Sequence, residues 1–404
     1  MENLKKHRAE YLSSDILEEN FIKSFSPFHV VQTILGSSRV DIRDRFVSPL
    51  SRRHKIIAAF SLIITLLLYI YIIHNYAYNK FNKYPAICFI TTCSTSAYYF
   101  IFLCNIINVR FVNADANQKF YLLLQEIDRI MKIDQNDKIY QLLFLNNLGT
   151  IISSTVFLAA LFFIAIYENF ILILGFSGML YSMLCCIIEW LCCADLLVYF
   201  FLRLRFINAI IINHIEGNTK LKKSKNTFNF PVAFVCMRRL ALETHHFKTS
   251  KTHVYLKALF DGYLSFQHHC RWQMLLFFTN FFVQSMLIIE FSIMALQNDA
   301  MQWLELVTLP SAIGVCLILG TVICARCEFF FREVQQTKRL CITILSQNFE
   351  GPLRTKAKTM LKMIENQPPQ FSVYNMWDMN ASAMLKMLNI ITTLAVALLQ
   401  FAFL

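Results

Sequence analysis

Four polar residues recur along one face of the last apolar segment of the chain, and their chemistry suits contact with hydrated ions. Lys386, Asn389, Thr393 and Gln400 are separated by three, four and seven positions. At about 100° per residue in an α-helix, these spacings place all four on one face. A polar group in hydrocarbon is costly unless it meets water or another polar group, so this stripe must face protein or a wet cavity.

The periodicity leaves two explanations of this stripe open. In the first, several identical subunits place the helix around an axis, so that each stripe residue becomes part of a ring lining a pore. Gln400 then offers carbonyl and amide groups to hydrated ions. Val396 and Ala397 fill the wall between the polar positions, and Phe401 occludes a narrow pore by dewetting. In the second, Thr393 bonds back to its own helix and Gln400 bonds a neighbouring helix.

Three short clusters contain residue types that bind metals, at 245–246, 268–270 and 324–327. None of them has a matched partner at the spacing of a known zinc site. The sequence also contains no Gly-rich phosphate loop and no nucleophile motif. We therefore expect no metal, no cofactor and no enzymatic activity.

Long apolar segments hold these residues and are typical of an integral membrane protein. Hydrophobic residues make up 56% of the 404 residues, and 38 of these are Phe. A transmembrane helix needs about 20 mostly apolar residues. The sequence therefore predicts an all-α membrane protein with seven transmembrane helices, approximately Ile56–Ile73, Ala86–Val109, Thr150–Tyr167, Phe170–Phe201, Met274–Leu296, Leu304–Phe331 and Met384–Leu404.

The distribution of Lys and Arg predicts the orientation of the chain. Ten precede the first span, five lie between the second and third, 12 lie from Arg203 to Arg271, and seven lie from Arg332 to Lys362. The opposite side carries two, Lys80 and Lys83. By the positive-inside rule, the amino terminus is cytosolic and the carboxyl terminus is extracellular. Because orientation explains the net charge of +12, we expect no nucleic-acid partner.

This topology also argues against two other classes of membrane protein. G-protein-coupled receptors have the reverse orientation, and the sequence lacks Asp-Arg-Tyr after its third span and Asn-Pro-x-x-Tyr in its last. A secondary transporter predicts repeats or helices broken by Gly and Pro, which the sequence does not show. The first ten residues have no apolar core after them, so no cleaved signal peptide is expected.

Segments on the predicted cytosolic side also have helical periodicity. In 118–133, Phe120, Leu124 and Ile127 form an apolar face opposite Gln125 and Asp128. Two further segments, 233–266 and 330–349, continue the neighbouring spans. We expect these helices to pack into a cytosolic layer, and the alternative is that they lie on the inner leaflet.

Four charged residues lie near the predicted inner ends of the fourth and sixth spans. Exposure to the cytosol explains Glu189 and Asp195 most simply, because the fourth span ends close to them. Arg326 and Glu328 occupy the corresponding end of the sixth span, and we assign them structural roles.

The carboxyl-terminal segment resembles the signature of the insect gustatory receptor family, relatives of the insect odorant receptors. Residues 366–401 carry the likeness. The family signature is Thr-Tyr, five apolar residues and Gln-Phe, and this chain has Thr393, Leu394, "AVALL", Gln400 and Phe401. Leu394 departs from the family Tyr, so the contribution of that Tyr is absent or replaced. Over the rest of the chain the likeness is one of topology.

The resemblance implies a ligand-gated, non-selective cation channel in the plasma membrane of gustatory receptor neurons. Its partners would be a small-molecule tastant, permeating cations, the lipid bilayer, and either identical copies in a tetramer or related receptors in a heteromer. The chain would divide into a cytosolic amino-terminal segment (1–55), a six-helix ligand-binding domain (56–331), a cytosolic anchor segment (332–383) and a pore-lining helix (384–404).

The resemblance also implies a ligand pocket that opens to the outside, within the helices before the last. Such a pocket needs aromatic walls and a few polar groups at outer-leaflet depth. Glu290 is the foremost candidate, since an intramembrane carboxylate indicates a functional site, and its alternatives are a hydrogen bond to another helix or exposure. The other candidates are Gln284, Tyr181, Phe176, Tyr167 and Thr91, with Thr92, Ser94, Phe162, Asn280, Thr308 and Ser311 at similar depth.

The residue type at position 395 helps to distinguish a sugar ligand from a bitter one. Sugar receptors of the family often carry an acidic residue directly after the Thr-Tyr pair, and this chain has Ala395 there. We therefore expect a bitter plant compound, with a sugar as the alternative.

Overall fold

The computed structural model describes residues 16–133, 137–168, 173–219, 251–297, 303–346 and 352–403, which are mostly helical. Seven of the helices are long and apolar enough to cross a membrane. The predicted fold class, an all-α membrane protein with seven spans, is confirmed. The side of the membrane that each terminus faces stays a prediction.

The described elements occur in the following order along the chain. They are α1 (Glu19–Ile34), the hairpin β1 (Asp41–Arg43) and β2 (Phe46–Ser48), α2 (Arg52–Ile72), α3 (Pro85–Ile107), α4 (Ala114–Met131), α5 (Asp137–Glu168), α6 (Ile173–Thr219), α7 (Thr252–Gln297), α8 (Trp303–Ser346), α9 (Pro352–Asn366), the hairpin β3 (Ser372–Val373) and β4 (Trp377–Asp378), and α10 (Ala381–Phe403). Wider π-helical turns extend α2 over Ile73–Tyr78 and α3 over Asn108–Val112.

Three helices are much longer than a bilayer requires. α6, α7 and α8 contain 47, 46 and 44 residues, which is roughly 70 Å for the longest against about 30 Å of hydrocarbon. The predicted segment 330–349 is the continuation of α8 as far as Ser346. The predicted segment 233–266 is the start of α7 from Thr252, and residues 233–250 lie outside the described residues.

α6 forms the centre of the bundle. It packs against α2, α5, α7 and α8, and 83% of its most apolar stretch is buried, compared with 11% for α10. Glycine permits the contact with α2, because a Cβ at Gly178 would lie 2.7 Å from the Leu68 Cβ. Because α10 lies at the edge of the bundle, the rest of the described chain leaves most of its surface uncovered.

The polar face predicted for α4 is wrong for two residues. Gln125 and Asp128 are buried together with the apolar face. Gln125 bonds the backbone at Ile16 and Glu18, and Asp128 accepts two hydrogen bonds from Arg203, at 2.9 and 3.0 Å. α4 is therefore enclosed on both sides, because the amino-terminal segment and α6 supply partners for its polar groups.

The expectation that Glu189 and Asp195 are exposed is also wrong, since each is only 1% exposed. Arg39 donates to Glu189 Oε2 from Nε at 2.8 Å, and Arg326 pairs with Asp195. Burial by itself would lower the pKa of Arg39, but the adjacent Glu189 raises it well above its ordinary value. A buried carboxylate is retained when a cation and further donors compensate it. Arg39 and Gln32 engage both oxygens of Glu189, whereas Arg326 and Asn146 engage only Oδ1 of Asp195 in the described structure.

Candidate functional site

α10 rests on α7 and α8 through one face only. Met384 and Ile391 are buried there, and Met387 packs against the same core. These positions recur at intervals of three and four residues, as expected for one side of a helix. The packing face therefore lies about half a turn from the polar stripe.

The polar stripe of α10 is open in the described structure. Lys386, Asn389, Thr393 and Gln400 are all exposed. Val396 is 49% exposed, Ala397 is partly exposed, and the side chain of Phe401 lies outside the described residues. Thr393 Oγ1 also donates to the Asn389 carbonyl at 2.8 Å, as the second explanation of the stripe expects. No helix of the same chain covers this side within the described residues.

A small cavity lies between α3, α6, α7 and α8. Its volume of about 20 Å³ is room for about one water molecule. The walls are mostly apolar, and they consist of Tyr98 and Ile101 of α3, Ser182, Met183, Cys186, Ile187 and Trp190 of α6, Asn280 of α7, and Val315, Cys316 and Leu319 of α8. This position between helices is typical of small-molecule sites.

Two polar atoms in the cavity wall lack partners. Trp190 Nε1 and Asn280 Oδ1 are buried and have no hydrogen-bond partner in the described part of the chain. The Ser182 hydroxyl, by contrast, lies 2.6 Å from that of Tyr69. Buried polar atoms normally have partners, so a ligand that offers one acceptor and one donor fits this wall.

One residue of the cavity wall is followed directly along α8 by a residue that contacts α10. Leu319 lines the cavity, and the next residue, Gly320, faces α10. A Cβ at Gly320 would lie 2.6 Å from the Met384 Sδ and 3.2 Å from Phe277 Cζ. The cavity wall and the support of α10 are therefore neighbours along α8.

The structure places four of the predicted ligand residues in contacts away from this cavity. Ser94 donates to Gln284 Oε1 at 2.6 Å, and Gln284 returns a bond to the Ser94 carbonyl. Thr91 donates to the Ile87 carbonyl of its own helix. Tyr181 donates to the Leu35 carbonyl at 2.8 Å, which ties α6 to the segment after α1.

Phe176 and Glu290, two further predicted ligand residues, do not line the cavity in the described structure either. Phe176 packs edge-on against Tyr76, with ring centroids 6.1 Å apart. Glu290 is partly exposed on α7, ten residues after Asn280, the α7 residue of the cavity wall. The side chains of Tyr167 and Phe162, and those of Thr308 and Ser311, lie outside the described residues.

Sequence reasoning missed most of the cavity wall but placed one member of it. Asn280 was expected at this depth and lines the cavity. Ser182, Cys186 and Trp190 repeat at intervals of four along α6, which marks one face of a helix. That repeat was a usable signal, but only the packing of α3 and α8 shows that the face borders a space.

Comparison with known proteins gives one match that covers most of the chain. The model of the family described as 7tm Chemosensory receptor matches residues 25–404. A search of curated proteins gave no match.

Proposed function

Because the chain belongs to the 7tm chemosensory receptor family, we propose that it is a ligand-gated, non-selective cation channel for taste. Membership supports a chemoreceptor role in a multi-pass membrane protein. The channel activity, the taste role and the location in the plasma membrane of gustatory receptor neurons are our proposal.

The open polar stripe of α10 carries the proposal. A helix that packs by one face and exposes Asn389, Thr393 and Gln400 by the other is unfavourable against lipid. Symmetric copies remove that cost by turning the stripe toward a shared aqueous axis. We therefore propose a tetramer of this chain, or a heteromer with related receptors, in which Val396 and Ala397 complete the wall and Phe401 forms the constriction.

The ligand is proposed to be small and mainly apolar. The cavity walls are apolar apart from a few groups such as Trp190 and Asn280, whereas a sugar needs a hydrogen-bond partner for each hydroxyl. A cavity of about 20 Å³ must widen to admit any tastant, so ligand binding selects an expanded arrangement of α6, α7 and α8. A bitter plant compound agrees with this chemistry better than a sugar does.

Opening follows from the contact between Gly320 and Met384. Expansion of the cavity displaces α8 at Leu319 and thereby moves Met384, which fixes α10 to the bundle. The ligand favours the open state only to the extent that it binds that state more tightly.

Expression in oocytes with a panel of bitter compounds and sugars tests the proposal. We expect cation currents evoked by at least one apolar compound, with a reversal potential that Gln400→Glu shifts toward greater cation preference. Uptake without current, or a reversal potential unchanged in the variant at equal surface expression, would overturn the channel proposal.

A further inference from the structure

Arg110 is a buried cation without a hydrogen-bond partner in the described part of the chain. It lies in the π-helical extension of α3, and only 1% of its surface is exposed. None of its three side-chain nitrogens has a hydrogen-bond partner in the described structure. Since arginine stays charged in proteins, this site contains a desolvated guanidinium whose five donors are all unused.

Asn105, five residues earlier on the same helix, repeats the pattern. It is fully buried, and both polar atoms of its amide lack hydrogen-bond partners within the described residues. The Cys186 thiol of α6, a weak hydrogen-bonding group, is the side chain closest to interacting with this amide, and Cys185 lies near Arg110. Both unpaired groups therefore face the same stretch of α6.

The nearest carboxylate is already engaged. Glu189 is the charged group that acts most strongly on Arg110. Its Oε2 accepts from Arg39 at 2.7 and 2.8 Å, and its Oε1 accepts from Gln32 at 3.0 Å. Two guanidinium groups thus share one carboxylate, which leaves one buried positive charge uncompensated.

A buried, uncompensated charge is far more costly than an unpaired neutral group. A water molecule would satisfy some of the donors but would leave the charge excess. An anion supplies both the acceptor and the compensating charge, and a charge-assisted bond from guanidinium is stronger than a neutral one. Because Arg110 and Asn105 are buried, the site favours a small anion over a large one.

We propose that Arg110 and Asn105 bind a small inorganic anion of the halide class, with chloride as the physiological example. Arg110 supplies the charge and the guanidinium donors, and the Asn105 Nδ2 group supplies a further donor. The site lies between α3 and α6, close to Glu189. It is separate from the proposed pore, it adjoins the proposed ligand cavity at Cys186, and it does not depend on channel activity.

Thermal unfolding of the purified full chain in detergent tests the site. Sodium chloride replaces sodium gluconate at constant ionic strength, and sodium bromide is tested in the same way. The unfolding midpoint of the unmodified chain should rise with the logarithm of chloride concentration, because a ligand of the folded state stabilises it by mass action. Bromide should act similarly.

Variants assign this effect to the site. Arg110→Gln should abolish the dependence on chloride, and Asn105→Leu should raise the half-maximal chloride concentration by about tenfold, the value of one hydrogen bond to a charged group. Arg205→Gln, at another arginine of the bundle, should leave the dependence unchanged. Chloride and gluconate curves that coincide in the unmodified chain, as expected if only water occupies the site, would overturn the proposal.

A second variant keeps the test decisive if Arg110→Gln does not fold. Arg110→Lys retains the charge but removes the planar fork of donors, so it should raise the half-maximal chloride concentration while preserving the halide response. A dependence on chloride that is identical in Arg110→Lys and the unmodified chain would also overturn the assignment.

Discussion

Gly320 of α8 lies against Met384 of α10 so closely that a Cβ at Gly320 would stand 2.6 Å from the Met384 Sδ. The residue before Gly320 lines the cavity, and Met384 is part of the face that fixes α10 to the bundle. One backbone step thus separates the cavity wall from the contact that supports α10.

Gly320→Val should alter gating because the added atoms displace Met384. We expect the half-maximal ligand concentration to change by at least about threefold or the basal current to rise, and Met384→Ala in the same chain should restore the original response by removing the obstruction. Dose-response curves in oocytes measure this. Gly314→Ala is the matched control, since no described atom lies within 4 Å of a Cβ at Gly314. Equal shifts in both variants would contradict the coupling.

Gln400→Cys should react with a charged thiol reagent applied from the outside and thereby block the ligand-evoked current. The exposed stripe carries Gln400 toward the proposed aqueous axis. Leu399→Cys is the control at the same depth, because its exposed side chain points about 100° away. A current blocked equally at both positions would show that the helix has no preferred wet side.

Asp128→Asn should reduce the free energy of unfolding by about 3 to 5 kcal/mol, because it leaves Arg203 buried beside a neutral group. Both members of this pair are fully buried, with a distance of 2.9 Å between Nη2 and Oδ2. Glu328→Gln breaks the exposed pair with Arg332 and should cost less than about 1 kcal/mol. Thermal unfolding in detergent compares the two variants. Similar losses of unfolding free energy would contradict the expectation that the buried pair is the more costly one to break.

Asn280→Leu should weaken the response to the tastant, because it removes the unpaired Oδ1 from the cavity wall and fills part of the space. The half-maximal concentration should rise by about tenfold for a ligand that donates a hydrogen bond there. Glu290→Gln is expected to shift the dose response as well if the pocket extends outward to the position predicted from the sequence. An effect at Glu290 alone would place the ligand outside the observed cavity.

His29→Gln should weaken the acid sensitivity of the fold. Burial lowers the pKa of His29 below its usual 6.5, against opposing contributions from the Val40 carbonyl and Asp41. The unfolded chain therefore binds this proton at a higher pH than the folded chain, and stability falls as the pH drops through about 6.5. Thermal midpoints between neutral and mildly acidic pH measure the effect. If the thermal midpoint of the variant falls with pH as steeply as that of the unmodified chain, groups other than His29 cause the acid sensitivity.

The spans and the stripe of α10 were predictable because both depend on local periodicity. Seven runs of apolar residues give seven helices, and the spacing from Lys386 to Gln400 fixes a face whatever lies around it. The orientation of that face away from α7 and α8 is a property of packing. This orientation could be established only from the structure. It is the orientation that the pore explanation requires.

The buried charges and the cavity were not predictable for a physical reason. Glu189 is enclosed because Arg39, 150 positions earlier, returns to neutralise it, and no local pattern encodes such a meeting. Gln125 and Asp128 are polar residues on a polar face by sequence, but distant segments satisfy them. The cavity likewise combines four helices, of which the sequence marks one face at a time.

The engagement of Glu189 by Gln32 and Arg39 has a practical consequence for anyone who builds chimeras of this receptor. The stretch from α1 to Arg39 is part of the packed bundle. Replacing the first forty residues would remove Arg39, the counter-ion of Glu189 in α6. Swapped modules should keep this stretch and α6 from the same parent.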